Sequence, residues 1–520
     1  MTTATATPRK PFGGRPLNDV VEELTEEIRE LYTADEVPWV VGYSGGKDST
    51  AVLQLVWLAL QGLPEEKRTK PVYVISTDTL VENPVVAAWV TRSLDTMAVA
   101  AKEQGLPITP HRLTPEVKDT FWVSLIGKGY PAPRPKFRWC TERLKIKPSN
   151  AFIRRVVRSH GEAILVLGIR KAESQARARV MARHEKGRVR DRLSPNSSLP
   201  NSLIYSPVED WSNDDVWMFL VQVPNAWGHP NKDLLTMYQG ASADGECPLV
   251  VDSTTPSCGD SRFGCWTCTL VEKDKSMAAM IQNDEEKEWM LPLLDLRNEL
   301  DVMNDKPLRD FRRMKGGITL FHDEPVHGPY TQSAREHWLA RVLEAQTWIR
   351  HHGPEGIGAI ELISMPELHE IRRIWVFEKH EIEDSVPRIY ETVTGEVFPG
   401  RPLDEHLALG AEDIDLLREL CGDDELHFEM TRALLGVERR FRTMARRSGL
   451  FEELETAVRR SFYEGQDDAV DRARQLSEAR ALTKGLASVT DVSMVDPLAT
   501  NDSVQLTVDD LEGVTVNATD

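Results

Sequence analysis

The sequence predicts a doubly wound α/β fold, built on a parallel sheet and followed by a mainly helical C-terminal region. Short apolar runs rich in β-branched residues alternate with longer helical segments, a pattern typical of βαβ units. The predicted strands are residues 37–43, 71–77, 108–113 and 163–168. Ligands of such folds bind beyond the carboxyl ends of the strands, so we expect the functional residues there.

The helices follow from periodicity and capping residues. Apolar residues recur at helical spacing over residues 17–32, ahead of the first strand. An apolar helix begins near Asp48, and another is predicted over residues 83–104. Further along the chain, Ser212 and Asp215 have the spacing of a capping box, which predicts a helix N-terminus.

Composition divides the chain into five predicted segments. Residues 183–201 are polar and aperiodic, which predicts a mobile loop. The last 36 residues contain seven acids and no Lys or Arg, which predicts a disordered tail. The segments are a flexible N-terminus at 1–14, the α/β domain at 15–245, a cysteine-rich segment at 246–275, the helical region at 276–484 and the acidic tail at 485–520.

Length and composition restrict the class of protein. The 520 residues are enough for several domains, and no segment approaches the ~20 apolar residues of a membrane-spanning helix. The N-terminus lacks the apolar region of a signal peptide, and six cysteines are too few to cross-link a chain of this length. We therefore expect a soluble, cytoplasmic protein.

Charge is distributed unevenly along the chain. The whole sequence carries 63 Lys and Arg against 82 Asp and Glu, a net charge of −19. Residues 134–192 instead carry 18 Lys and Arg against 5 Asp and Glu. This local excess predicts an anion-binding surface for phosphate groups, and a solvated basic face without a ligand is the alternative.

A glycine-rich loop joins the first strand to the apolar helix. Its glycines allow successive N–H groups to converge on an anion, and the helix N-terminus adds partial positive charge. After the second strand, Asp78 is a candidate for binding a ribose, a base or Mg²⁺, and Gly168 and Arg170 follow the fourth strand. The loop residues of this predicted phosphate site are Ser44, Gly45, Gly46, Lys47, Asp48 and Ser49.

Three cysteines are clustered in the sequence. Cys258, Cys265 and Cys268 lie within eleven residues, and the last two have C-x₂-C spacing. Such thiolates can converge on one metal centre, for which the spacing leaves zinc and an iron–sulfur cluster as candidates. A fourth ligand would be Cys247 or another residue, and ordinary buried thiols are the alternative reading. Cys421 lies in a polar turn and is expected to take no part.

These motifs together resemble one group of enzymes. Residues 44–49 read SGGKDS, the signature of the PP-loop ATP pyrophosphatases. With RWCTERLK, GIRKAES, DWSNDDVW and CGDSRFGCWTC in order, the first 270 residues resemble the phosphoadenosine phosphosulfate (PAPS) reductase-like branch. The cysteine segment and residues 371–380 (IRRIWVFEKH) resemble the DndC family, the ATP pyrophosphatase and iron–sulfur subunit of bacterial DNA phosphorothioation.

The resemblance implies roles for individual residues. ATP would be a substrate, bound with Mg²⁺ by the loop together with Asp78 and Gly168. A cluster cysteine is expected at the position of Cys140, which favours it over Cys247 as the fourth ligand. The catalytic residues would be Lys47, Asp48 and Arg170, and a 4Fe-4S cluster would be bound by Cys140, Cys258, Cys265 and Cys268.

The resemblance also implies a reaction on DNA. ATP would adenylate a backbone phosphate with release of pyrophosphate, and sulfur would then displace AMP and replace a non-bridging oxygen. The expected partners are DNA, a cysteine desulfurase as sulfur donor, and other phosphorothioation subunits of the DndD and DndE type. Because the chain outside residues 134–192 is strongly acidic, we expect these subunits to supply most of the affinity for DNA.

Three other functions are compatible with the same motifs. A PAPS reductase-like enzyme of sulfur assimilation would bind a nucleotide in the same crevice without hydrolysing ATP. A cluster-dependent tRNA thiolase would use the same loop on a different acceptor. A nucleotide-binding scaffold is the non-enzymatic alternative, and release of pyrophosphate from ATP would distinguish the enzymes from it.

Overall fold

The computed structural model describes residues 10–242, 263–400 and 411–490, apart from residues 187, 189, 191, 197, 323, 443 and 445. Contacts divide the chain into two compact units. The first comprises Met1–Val123, Ala132–Val302 and Arg341–Glu367, and the second comprises Ser124–Pro131, Met303–Ala340 and Leu368–Asp520. Among the described residues, no helix combines the length and the apolar character needed to cross a membrane.

A six-stranded sheet forms the centre of the first unit, in the order β3-β2-β1-β4-β6-β5. Neighbouring strands are parallel except at the edge, where β5 is antiparallel to β6. The doubly wound α/β prediction is therefore confirmed. The strands are β1 (Trp39–Gly42), β2 (Val72–Thr77), β3 (Ile108–Leu113), β4 (Ala163–Val166), β5 (Ser194–Pro195) and β6 (Ser202–Tyr205).

Helices of the first unit cover both faces of this sheet. Successive side chains of a strand alternate between faces, and on β1 Val41 packs with residues of the first three helices whereas Val40 packs with Phe152 and Val156 of the fourth. The helices are α1 (Leu17–Thr33), α2 (Lys47–Gln61), α3 (Pro84–Glu103), α4 (Lys147–His160), α5 (Gln175–Lys186), α6 (Asn213–Gln222) and α7 (Asn231–Gly240), and α8 (Lys275–Asn283) and α9 (Leu291–Leu300) follow them in the chain.

Two strands were absent from the sequence prediction. β6 has only four residues and follows a polar segment, so its apolar pattern is too short to indicate a strand, yet it pairs with β4 along its whole length. Part of the predicted loop at residues 183–201 also has regular structure, because α5 continues to Lys186 and β5 lies at Ser194–Pro195.

Both predicted termini are more ordered than expected where the structure describes them. Residues 10–14 of the predicted flexible N-terminus include a 3₁₀ turn, and the Phe12 ring packs edge-on against Trp211 at 5.3 Å. Residues 485–490 of the predicted disordered tail continue a helix, and all seven acids of the tail lie beyond them. Residues 1–9 and 491–520 lie outside the described residues.

The first unit extends beyond the predicted boundary at residue 245. Its segment Ala132–Val302 includes α8 and α9 from the predicted helical region. Arg297 on α9 explains this placement, since its buried guanidinium donates hydrogen bonds to the carbonyl oxygens of Cys268 (3.0 Å) and Glu272 (3.2 Å). A buried arginine needs such acceptors, and they attach α9 to the cysteine segment.

The chain after α9 is mainly helical, as predicted. Two short strands, β7 (Leu320–Phe321) and β8 (Glu324–Pro325), pair in the second unit. In that unit a buried ion pair joins Arg335 to Glu381, with Nη1 and Oε2 3.0 Å apart. The helices are α10 (Gln332–His352), α11 (Met365–Arg373), α12 (Ser385–Thr394), α13 (Ala411–Cys421), α14 (Glu425–Arg442), α15 (Leu450–Ser461) and α16 (Gln466–Thr490).

Candidate active site

The glycine-rich loop lies where the winding of the sheet reverses. β1 leads to β2 and β3 on one side and adjoins β4 and β6 on the other, so the carboxyl ends of β1 and β4 form a topological switch point. A crevice of about 1210 Å³ opens there. Its walls include the loop from Tyr43 to Ser49, residues 75–78 at the carboxyl end of β2, and residues 167–170 after β4.

Gly45 gives the loop its sharp turn. Its φ of +72° lies in the left-handed region, which glycine adopts without a steric penalty. A side chain there would also collide with α3, since a Cβ would lie 2.4 Å from Cγ2 of Val90. The indole Nε1 of Trp89 donates a hydrogen bond to the Gly45 carbonyl oxygen at 3.0 Å, so α3 holds the turn in place.

Hydroxyl groups fix the rest of the loop. Ser49 Oγ accepts from the Ser44 backbone N–H at 3.1 Å and donates to the Gly46 carbonyl oxygen at 3.0 Å. Gly46 is the N-cap residue of α2 and has no side chain to cap that helix. The Tyr238 hydroxyl is 3.4 Å from the Lys47 backbone N–H. Helix N-termini of this kind bind phosphate through backbone N–H groups.

Three charged side chains adjoin the loop. Lys47 Nζ lies 3.2 Å from Oδ2 of Asp48, and Arg170 Nε donates to the other Asp48 oxygen at 2.6 Å. Arg170 is only 3% exposed, and its Nη1 donates to the Trp211 carbonyl oxygen at 3.2 Å. The structure therefore brings the three predicted catalytic residues together, with Arg170 fixing the position of the Asp48 carboxylate.

Gly168 allows β4 to approach the start of α2. A Cβ at this position would lie 2.9 Å from both the carbonyl carbon and the carbonyl oxygen of Asp48. Backbone atoms cannot rotate away as a side chain can, so any residue with a Cβ would displace the loop.

Replacing Gly168 by alanine is expected to lower the free energy of unfolding by about 1–3 kcal/mol and to weaken ATP binding, because the loop must shift. Gly240→Ala is the matched control, since no atom lies within 4 Å of a Cβ at that helical position. Alanine in a helix is more stable than glycine by about 0.5–1 kcal/mol, so the control should be neutral or stabilising. Urea denaturation and ATP titration measure both effects, and equal results for the two variants would contradict the steric argument.

Asp78 lines the crevice but already has partners. Its carboxylate is ion-paired with Arg112, whose Nε lies 3.1 Å from Oδ2, and it accepts the Leu80 N–H at 2.8 Å. Arg112 Nη1 in turn donates to Thr91 Oγ1 at 3.0 Å. Binding of Mg²⁺ or a ribose by Asp78 would compete with Arg112, and it stays a prediction.

Cys265 lies beside the crevice wall. Its Sγ is 3.3 Å from Thr79 Oγ1 and 3.9 Å from Oε1 of Glu82, a carboxylate that lines the crevice. Glu82 also accepts from Thr79 at 3.0 Å and is ion-paired with Lys145 at 3.3 Å. Backbone pairing between Glu82 and Cys265 holds this arrangement together.

The surroundings of Cys265 and Cys140 favour the protonated form of both thiols. Burial raises the pKa of Cys265 to about 12, with a further contribution from Glu82 that Lys145 opposes. Burial also raises the pKa of Cys140, and the charge of Cys268 adds to the shift. At Lys145 burial acts to lower the pKa, but the negative charges of Cys265 and Glu82 outweigh it and the pKa is raised. Metal ligation requires thiolates, so a bound metal would have to displace these protons.

The predicted cluster ligands are only partly described. Cys140 interacts electrostatically with both Cys265 and Cys268, so these three thiols share one region of the first unit. Within the described part of the chain, no group of three or more His, Cys, Asp or Glu side chains is arranged to hold a metal ion. Cys247 and Cys258 lie outside that part. The described thiols alone do not form a metal site, and the cluster stays a prediction.

Half of the 18 cations in the basic stretch at residues 134–192 form ion pairs with described residues of the first unit. On the outer face of α4, by contrast, Arg154, Arg155 and Arg158 are exposed and form no ion pair with the described residues. Fewer cations are thus free to bind an anion than the charge count of residues 134–192 suggests. The cations that pair with acids are Arg134, Arg143, Lys145, Lys147, Arg170, Lys171, Arg188, Arg190 and Arg192.

Sequence reasoning missed several residues of the site. Glu82 could have been predicted as a residue of the crevice, because it lies four positions after Asp78, which directly follows the second strand. Trp89 and Tyr238 gave no signal, since a single aromatic residue in a helix usually belongs to a core. Their contacts with the loop arise only when distant segments come together.

The switch-point sheet and the glycine loop define a nucleotide-binding α/β domain. Residues 38–225 match the family model of the phosphoadenosine phosphosulfate reductase domain. This part of the chain, which contains the phosphate loop, is thus similar to a PAPS reductase domain, and the similarity supports a nucleotide-using enzyme.

Two individual proteins are similar to parts of the chain. An uncharacterized protein from Methanocaldococcus jannaschii is 28% identical over 195 residues, which are 38% of this chain and 34% of that protein. The chain thus spans about a third of the length of this relative. The structure of the U34-tRNA thiolase NcsA from Methanococcus maripaludis, with its 4Fe-4S cluster, aligns with a TM-score of 0.27 and 16% identity over 52% of this chain and 80% of that one.

Proposed function

We propose that the first unit is an ATP pyrophosphatase that activates a phosphate of the DNA backbone for replacement of a non-bridging oxygen by sulfur. The observation that supports this most is the position of a thiol beside the nucleotide crevice. Cys265 Sγ lies 3.9 Å from Glu82, whose side chain lines the same crevice as Lys47 and Asp48. A phosphate-binding loop and a sulfur-bearing residue are the two components that such a reaction needs.

The residues of the crevice have distinct roles in this proposal. The loop N–H groups and Lys47 bind the phosphates of ATP and stabilise the charge that develops on pyrophosphate. Arg170 acts through Asp48, which it holds beside Lys47, so it is a positioning residue. Asp78 would bind Mg²⁺ or the ribose after release from Arg112.

The chemistry requires two displacements at phosphorus. An oxygen of the acceptor phosphate attacks the α-phosphorus of ATP, the new P–O bond forms, and the bond to the β-phosphate breaks with release of pyrophosphate. Sulfide then attacks the acceptor phosphorus, the P–S bond forms, and AMP leaves with the original oxygen. Sulfur at the sulfide oxidation level makes the second step redox-neutral.

The sulfur would reach this site through the cysteines. An iron–sulfur cluster held by Cys140, Cys258, Cys265 and Cys268 would supply it as sulfide, with a cysteine desulfurase as the upstream donor. A cysteine persulfide would supply it only with two thiol equivalents as reductant, which reduce the S–S bond, release sulfide and leave as a disulfide. Partner subunits of the DndD and DndE type would bring DNA to the site. The acceptor and these partners are inferred from the resemblance of the motifs.

Two measurements test the proposal together. Pyrophosphate release from ATP by the purified chain, with and without DNA, tests the activation step. Mass spectrometry of nuclease-digested DNA and of tRNA, from cells with and without the protein, identifies the sulfur acceptor. Sulfur in DNA that depends on the protein supports the proposal, whereas sulfur in tRNA alone would assign the activity to tRNA thiolation. Absence of pyrophosphate release under all these conditions would contradict the enzymatic function.

Anaerobically purified protein is expected to be brown and to contain iron and acid-labile sulfide. Replacing Cys140, Cys265 or Cys268 by serine should lower the iron content, because a cluster needs its thiolate ligands. Cys421→Ser is the matched control, since Cys421 ends α13 in the second unit and packs beside Ile414 and Phe428. Stoichiometric zinc in a colourless, active preparation would show that the metal is not iron.

A further inference from the structure

A second large cavity lies within the second unit. Its volume is about 1200 Å³, and its walls come from residues 306–335, residues 377–381, α14 and α15. Lys379 and His380 in this wall end the segment at residues 371–380, to which the function proposed above gives no role. The reaction proposed for the first unit therefore does not account for this cavity.

Guanidinium groups from several elements converge on this cavity. Arg312 is paired with Asp310 at 2.7 Å and with Glu429 at 2.6 Å, and Arg432 is paired with Glu383 at 2.8 Å. Arg312 uses most of its N–H donors on Asp310, Glu429 and the carbonyl oxygen of Arg460, but the buried Nε of Arg432 has no hydrogen-bond partner among the described residues and is left for a ligand. The cavity wall is thus rich in oriented donors.

Two further cations have no such partner. Among the described residues, neither the Lys379 ammonium nor the Arg460 guanidinium forms an ion pair or a side-chain hydrogen bond, and both side chains are half-buried. Removing a cation from water without an opposite charge is costly. Burial, together with Arg335 and Arg460, lowers the pKa of Lys379 to about 7 although Glu381 and Asp310 oppose the shift. Burial and Arg312 likewise lower the pKa of Arg460.

The charged, solvent-exposed residues of the cavity lining, here called its rim, are mainly acidic, with Lys306 as the exposed cation among them. Asp423, Asp424 and Glu425 precede or begin α14 and are exposed, as is Glu464 after α15. An extended polyanion that crosses this rim would be repelled by these carboxylates. A compact anion that fits inside the cavity would contact Lys379 and Arg460 without contacting the acidic rim. The charge pattern thus favours a small ligand over a nucleic-acid strand.

We propose that this cavity binds a small phosphate-bearing molecule, with Lys379 and Arg460 as the counter-ions of its phosphate group. Phosphate suits the site because its several oxygens can accept from an ammonium and from planar guanidinium groups at once. The inference does not depend on the reaction proposed for the first unit.

The test compares three variants of the full-length chain by isothermal titration calorimetry. Arg460→Met and Lys379→Met remove the unpaired charges, and Arg459→Met is the matched control. Arg459 is adjacent on the same helix, does not line the cavity, pairs with Glu455 and has a side chain that is 77% exposed. The probes are inorganic phosphate, AMP and a short single-stranded oligonucleotide. The crevice of the first unit is unchanged in all three variants and contributes equally to each.

We expect phosphate or AMP to bind at least ~10-fold more weakly to Arg460→Met and Lys379→Met, and to bind the control as it binds the unmodified chain. Thermal unfolding checks folding, and because each methionine variant tests the site separately, one folded variant is enough. A loss confined to the oligonucleotide would show that the ligand is a nucleic-acid strand and overturn the small-ligand proposal. Equal affinities of the cavity variants and the control for every probe would overturn the site itself.

Discussion

Replacing Lys47 by alanine is expected to lower the rate of pyrophosphate release from ATP by about 100- to 1,000-fold, the usual effect of removing one group that stabilises transition-state charge. The Lys47 ammonium is held beside the loop by Asp48 at 3.2 Å and lies 5.8 Å from the centre of the Tyr238 ring. Stability should change by only about 0.5 kcal/mol, as for most partly exposed side chains. A coupled pyrophosphate assay measures the rate.

Lys67→Ala serves as the control for this experiment. Lys67 is an exposed lysine in a 3₁₀ turn of the first unit and lies outside the crevice. Its removal should leave the rate unchanged. If Lys47→Ala released pyrophosphate at the normal rate with its fold intact, the loop would not be the site of ATP cleavage.

Replacing Asp48 by alanine is expected to cost about 3 kcal/mol of folding free energy, because it leaves Arg170 as a buried cation without its carboxylate. The value is at the low end for a broken buried pair, since the Asp48 side chain is 23% exposed. Arg170→Met should cost less, because Asp48 keeps Lys47 as a partner. The two substitutions should therefore differ in their cost because Asp48 has two cationic partners, Arg170 and Lys47, whereas Asp48 is the one carboxylate paired with the Arg170 guanidinium among the described residues.

Urea denaturation of both single variants and of the double variant measures this asymmetry. The double variant should be more stable than the sum of the two single losses predicts, because no charge is left unpaired. Strictly additive losses would mean that Asp48 and Arg170 do not depend on one another. Denaturation of Gly240→Ala, which is expected to be neutral or stabilising, provides the reference for a substitution without steric conflict in the same unit.

Local patterns predicted the local structure well. The strand at residues 108–113 and the capping box at Ser212 and Asp215 were found at the predicted positions, because each depends on a few adjacent residues. β6 was missed, since a four-residue strand has too short a pattern to distinguish it from a loop. The sequence therefore predicted too few parallel strands, because β6 is recognised as a strand only through its pairing with β4 in the folded chain.

The candidate site was predictable in its loop but not in its connections. The SGGKDS segment indicated phosphate binding on its own, whereas the contact of Asp48 with Arg170 joins residues that are 122 positions apart. The contact of Cys265 with Glu82 spans 183 positions. The charge count over residues 134–192 was correct, but it could not show that acids of the first unit pair with half of those cations.

The backbone pairing beside Cys265 links the thiol mechanically to the crevice. The Trp266 N–H donates to the Val81 carbonyl oxygen at 2.9 Å, and the Asn83 N–H donates to the Gly264 carbonyl oxygen at 3.1 Å. The segment that carries the thiol and the wall that faces the nucleotide thus move as one piece. Nucleotide binding should therefore alter the rate at which an alkylating reagent modifies Cys265. The alkylation rate would then report whether the crevice is occupied by nucleotide.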